Sequence, residues 1–355
     1  MKSVFVGAIV LFLAILPGMG ETAVPVINKA YDGVYCLPAG EAPGQPVNLQ
    51  SSPWQSSFIT GMALRSQWTM IQPNKGVYSW TLFDQGLALA QKNNKMISLS
   101  VAAGGFCPSW LIYEGASYIT ITIQTAFLPQ PQKMQMVLPW DPVFQKEWAS
   151  LVQAMATRYD GSPNVGYVYI GGPGTYIETF LIQNQQDYNT FNAAGGLTKW
   201  IQGTEAIIDM YGSSFKNTPF LLALGNPVAS IPSAQAAGED AVEEVVNYGM
   251  TKYPGRFGVA NHGLNANSNS PTAYNGANYF VNQLISQNAA TSPVGFQMVS
   301  AASGGGPTWN LGDLGTAVSA GIQLGAEYIE VYKIDCMNSK YTQMLTQANT
   351  QLKQN

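Results

Sequence analysis

Residues Leu64 to Gln91, LRSQWTMIQPNKGVYSWTLFDQGLALAQ, pass from a strand end through an aromatic-rich connection into an amphipathic helix. The run 58–64 reads as a buried strand, and Arg65, Trp68, Pro73, Gly76, Tyr78 and Trp80 fall in the connection that follows. Leu82, Phe83, Leu87 and Ala90 then recur near helical spacing. This is one βα unit, and its pattern repeats along the chain. Short apolar runs bounded by Gly, Pro and Asn occur at 33–37, 58–64, 95–102, 165–170, 220–224, 256–260, 294–300 and 328–332. Helical patterns lie between them at 82–92, 142–159, 197–211, 241–253, 277–287 and 311–324, and only the connection 38–57 lacks a clear one. Near-continuous apolar strands alternating with helices mean a parallel sheet covered by helices. Eight such units predict a closed (β/α)8 TIM barrel rather than a doubly wound open sheet.

The ends and the composition narrow the class. Residues 1–23 read as a signal peptide, with Lys2 as the positive region, an apolar run at 4–16 and small residues at 20–23. The expectation is an exported protein, secreted or periplasmic, without stable membrane insertion once the signal is removed. Residues 24–355 then form the barrel, about 330 residues, which is ordinary for one such domain. Charged residues make up 10% of the chain and the net charge is −4, so no basic stripe is available for nucleic acid. No GxGxxG or GxxxxGK[ST] fingerprint opens a helix after the first strand. The Gly171-Gly172-Pro173-Gly174 run reads as a tight strand exit. With a single histidine, His262, and no CxxC, neither a metal site nor a cofactor is expected. Cys36, Cys107 and Cys336 allow at most one internal disulfide; with Cys36 on the first strand and Cys336 at the end of the last, these two would be neighbours and could bridge in an oxidising compartment, the alternative being separate buried thiols.

In a (β/α)8 barrel the active site lies at the C-terminal ends of the strands, so polar residues there are the candidates. Glu178 follows the fourth strand. Glu330 lies within the last, where alternation puts Tyr328, Glu330 and Tyr332 on one face and Ile329 and Val331 on the other. A glutamate pointing into the barrel needs a partner, either a catalytic one or a structural ion pair with Arg65 or Lys333. Further strand-end candidates are Arg65, Trp68, Trp110, Asn226, His262, Asn265, Gln297, Tyr332 and Asp335. Amides, aromatics and few acids form a set suited to sugars, whose hydroxyls meet amides and whose ring faces meet indoles. The insertion at 115–140, with SYITITIQTAF and then LPQPQKMQMVLPW, reads as a hairpin or lid near the barrel mouth.

These segments resemble the retaining glycoside hydrolases of the large (β/α)8 clan, in particular β-galactosidase-like secreted barrels. The likeness rests on LRSQWTMIQPNKGVYSWTLFD, on VAAGGFCPSWL, on WDPVFQKEWASLVQAMATRYDGSPNVGYVYIGGPGTYIE and on GIQLGAEYIEVYKID. It implies an oligo- or polysaccharide substrate, an acid/base glutamate after strand four and a nucleophilic glutamate at the end of strand seven. Glu178 matches the first role by position, although Ile177 rather than asparagine precedes it. Strand seven reads PVGFQMVSAAS, with Gln297 where the glutamate is expected, and an amide cannot form a glycosyl ester. Three readings follow. Glu178 and Glu330 form the working pair; or the barrel binds glycans without hydrolysing them; or another group such as Asp335 acts.

Overall fold

The apolar runs become strands that close on themselves. The computed structural model describes residues 31–38, 48–124, 130–175, 181–271, 276–303 and 311–354. In chain order the strands are β1 (Gly33–Leu37), β2 (Gly61–Gln67), β3 (Met96–Ala102), β4 (Tyr118–Ile123), β5 (Gln132–Val137), β6 (Val165–Tyr169), β7 (Phe220–Ala223), β8 (Phe257–Leu264), β9 (Val294–Met298) and β10 (Tyr328–Tyr332). All but β4 and β5 form one closed, parallel barrel in the order β1, β2, β3, β6, β7, β8, β9, β10 and back to β1. The helices are α1 (Trp68–Ile71), α2 (Thr81–Asn93), α3 (Trp110–Tyr113), α4 (Pro142–Tyr159), α5 (Gln185–Ala193), α6 (Gly196–Ser214), α7 (Gln235–Lys252), α8 (Gly276–Asn288), α9 (Leu314–Gln323), α10 (Lys333–Cys336) and α11 (Thr342–Leu352). The described part of the β1–β2 connection holds only a 3-10 turn, Leu49–Ser51.

Two strands run further than their apolar runs indicate. β2 continues to Gln67, so Arg65 belongs to the barrel wall and not to the connection after it. β8 continues to Leu264 and includes His262. Polar residues at the end of a barrel strand face the mouth, where hydrophobicity no longer marks the element.

The barrel interior is filled largely by tyrosine. Tyr31, Tyr35, Tyr167, Tyr169 and Tyr328 are buried together with Leu37, Ala63, Leu221, Ala223 and Ala260. Small residues on facing strands make room for the rings: a Cβ on Gly295 would enter the Tyr328 ring, and one on Gly166 would lie 2.6 Å from the Tyr35 hydroxyl. Outside the barrel, Ile97, Leu99, Val101, Val168, Ile170, Val259, Ile329 and Val331 face the helices. Burial on both faces is what makes the strands read as continuous apolar runs.

The insertion after β3 is an antiparallel hairpin, β4 with β5, paired from Tyr118↔Val137 to Ile123↔Gln132. Ile121, Ile123 and Met136 are buried, Met134 lies against Gly105 at the β3 exit, and the Thr122 N–H donates to Asp187 of α5 at 2.7 Å. Asp141 ties the hairpin base to α4: it accepts the Ser117 N–H at 2.9 Å and caps α4 through the N–H groups of Val143 and Phe144. Pro142 occupies the first turn, where its missing N–H is harmless.

Candidate functional site

Parallel pairing places Glu330 beside Gln297 on one side and Tyr35 on the other. Alternation turns Tyr328 and Glu330 inward and Ile329 and Val331 toward the helices. The Glu330 side chain has 0% exposure and its carboxylate is held from two directions. Arg65 Nη2 donates to Oε2 at 2.9 Å, and the Tyr167 hydroxyl donates to Oε1 at 2.9 Å. Arg65 Nη2 also donates to the side-chain carbonyl of Gln297, and the Gln297 amide donates to Met298 O at 3.3 Å. Of the two partners anticipated for Glu330, Arg65 is therefore the one it has; Lys333 reaches Asn48 O and Ser51 Oγ.

The Arg65 side chain is 21% exposed, while the carboxylate beneath it is sealed. Its guanidinium carbon lies 5.9 Å from the centre of the Tyr169 ring, and His262 meets that ring edge-on at 4.8 Å. The Tyr169 and Tyr328 hydroxyls are 2.8 Å apart, and Tyr167 stacks on Tyr328 at 4.0 Å. Burial holds the Tyr167, Tyr169 and Tyr328 hydroxyls well above the ordinary phenol range, and the negative charge of Glu330 pushes them further the same way. They stay neutral and serve as fixed hydrogen-bonding groups.

The other anticipated residues divide by environment. Trp68 is fully buried in the layer between barrel and helices, packed edge-on against Trp110, Phe144 and Trp148 at 6.0, 5.6 and 4.7 Å. Its indole N–H donates to Gln72 Oε1 at 2.8 Å, so it presents no surface to a ligand and joins α1 to α4. Trp110 is half-buried against it and donates to Gln72 O. Asn226 shapes the β7 exit: its carbonyl accepts the Val228 N–H and its amide donates to Gln235 O. Asn265 does the same after β8, between Gly263 O and the Asn267 N–H. Asp335 is fully buried and accepts the N–H groups of Ala302 and Ser303, both at 2.7 Å, which fastens the β9 exit to α10. Tyr332 is half-buried at the end of β10. Glu178 lies outside the described residues.

The structure thus brings Arg65, Gln297, Glu330 and His262 together and places Trp68, Trp110, Asn226, Asn265 and Asp335 in supporting contacts. Tyr35, Tyr167, Tyr169 and Tyr328 are the residues missing from the anticipated set. Part of their signal lies in VGYVY, which carries Tyr167 and Tyr169 at alternate positions on an otherwise apolar strand, and in YIEVY, where Tyr328 shares the face of Glu330. Among the described residues there is no cluster of three or more His, Cys, Asp or Glu able to hold a metal, and no helix long and apolar enough to cross a membrane.

A profile of the glycoside hydrolase family 42, described as beta-galactosidase, matches residues 61–193, from β2 to the end of α5. The closed parallel barrel is a (β/α)8 fold, and the stretch from β2 to α5 within it is the part similar to this glycoside hydrolase family. Among solved structures, it is similar to the catalytic domain of beta-amylase from Paenibacillus polymyxa, with a TM-score of 0.58 and 11% identity over 91% of this chain and 99% of that one. Another is a beta-galactosidase from the psychrophilic Marinomonas ef1, with a TM-score of 0.49 and 10% identity over 81% of this chain and 54% of that one. A comparison with curated proteins gives no match.

Proposed function

We propose that the barrel binds and cleaves an oligo- or polysaccharide, with Glu178 as the general acid or base and the Arg65–Gln297 pair as part of the cleft floor. The observation that carries this reading is the way Arg65 is held. A buried carboxylate fixes the guanidinium from below and leaves its outer face toward the mouth, beside an amide, an imidazole and tyrosine. A guanidinium already neutralised by Glu330 suits hydroxyls better than an anion, and pre-oriented donors lower the ordering cost of binding. The family match over the segment that contains Arg65 points to the same substrate class.

In this reading Glu330 acts through Arg65 as a positioning residue, because a carboxylate with no exposed surface cannot meet a sugar while the guanidinium covers it. It becomes the second acid of a two-carboxylate mechanism only if substrate draws Arg65 aside. A second reading, glycan binding without hydrolysis, is favoured by Gln297, which stands beside Arg65 where a nucleophilic carboxylate would be needed and cannot form the glycosyl ester.

A glycan panel separates the two. If the barrel hydrolyses, wild type releases sugar, and Glu178→Gln loses roughly 100-fold or more in turnover while still binding, the usual size of a lost general acid. Binding by wild type with no product supports the second reading; no binding to any glycan contradicts both. We also propose export directed by residues 1–23, so protein recovered from an exporting host should begin near residue 24.

A further inference from the structure

Cys36 and Cys336 meet at the seam where the barrel closes. Cys36 lies in the middle of β1 and pairs in register with Val331 of β10. Cys336 ends α10, which follows β10 directly, and its Sγ points back to the Val331 carbonyl at 3.4 Å. Both side chains are buried, at 0% and 3% exposure, in the same apolar layer. Cys107, in contrast, lies at the β3 exit. The structure holds all three as thiols.

We infer that Cys36 and Cys336 form a disulfide when the chain folds in an oxidising compartment, fastening β1 to the turn after β10, with Cys107 left as the free thiol. One thiolate of the pair attacks a sulfur of an external disulfide, a small-molecule or protein exchange partner, and expels one thiol. The second thiolate then attacks the mixed disulfide and expels the other. Two protein thiols are oxidised, the external disulfide is reduced to two thiols, and the two protons pass to them. Once the barrel is closed, the hydrogen bond with Cys36, followed by burial, holds the Cys336 thiol well above its ordinary range. The exchange therefore belongs to folding, before the seam is sealed, and the closed thiol pair is slow to react.

The consequence reaches the mouth. Asp335 precedes Cys336 and accepts the Ala302 and Ser303 N–H groups, so a covalent anchor at 336 also fixes the β9 exit that follows Gln297. The test uses the full chain refolded with glutathione disulfide, then denatured and alkylated without reductant. The expected product carries one alkyl group, on Cys107, and its digest contains a linked peptide pair with Cys36 and Cys336 that separates on reduction. In the folded protein, reductant should lower Tm in wild type and Cys107→Ser and leave Cys36→Ser unchanged. Three alkylated cysteines, or a link that includes Cys107, overturns the inference.

Discussion

Glu330 and Arg65 show what a buried charge requires. Removing two ions from water costs several kcal/mol each, and only close geometry with every remaining lone pair engaged offsets it. Here Arg65 and Tyr167 take one carboxylate oxygen each. Breaking such a pair from one side leaves an uncompensated charge. Glu330→Leu should therefore cost about 3 kcal/mol in urea unfolding, and Arg65→Met in the same chain should recover most of that loss. Strictly additive losses in the double variant would show that the two residues do not act as a pair. In saccharide binding, Glu330→Gln should weaken affinity through a misplaced Arg65.

At the level of elements, the barrel depends on small residues opposite tyrosines. Gly295→Ala on β9 would push a methyl into the Tyr328 ring, and overpacking of this kind costs roughly 1–3 kcal/mol, readable as a lower Tm. On the outer layer, Asp84 of α2 binds Arg158 at 2.7 and 2.6 Å and accepts from the Tyr159 hydroxyl of α4 at 2.8 Å. The Arg158 hydrogen bonds hold the Asp84 carboxyl below the usual carboxylate range. Its contribution is thus present above the unfolded-state pKa of about 4 and is lost as pH falls through the lower folded value. Asp84→Asn should reduce the unfolding midpoint modestly at neutral pH and flatten its decline in acid; an unchanged slope would contradict the assignment. The strands were legible because both faces of a parallel barrel strand are buried, which leaves continuous apolar runs such as GVYCL and FLLA. Where the run turns polar, legibility stopped. LRSQ continues β2, yet its charge and polarity read as loop, so the sequence alone puts Arg65 in the connection and not in the wall. Trp68 has the parity of Leu64, which faces the helices, and alternation would have put it there rather than in a cleft. The apolar pattern does not mark α5 or α11, α5 because its sequence QQDYNTFNA is mostly polar.

For the whole molecule, closure of the barrel brings the first and last strands together, and with them residues almost a chain length apart. A disulfide between Cys36 and Cys336 would close a loop of that length, at the upper end of what cross-links contribute, ~5 kcal/mol in the chain-entropy model. The same closure assembles the mouth, where Arg65 of β2, Gln297 of β9 and Glu330 of β10 meet although 232 and 265 residues separate them. No local motif encodes that meeting, since it exists only once eight strands have paired. The most direct measurement is a crystal structure of the Glu178→Gln variant soaked with the tightest-binding oligosaccharide from the glycan panel. A sugar ring at the C-terminal ends of the strands, with a hydroxyl in hydrogen-bond reach of the Arg65 guanidinium still seated on Glu330, is the expected result. A sugar bound elsewhere on the molecule, with the Arg65–Gln297 floor empty, would contradict the proposed cleft.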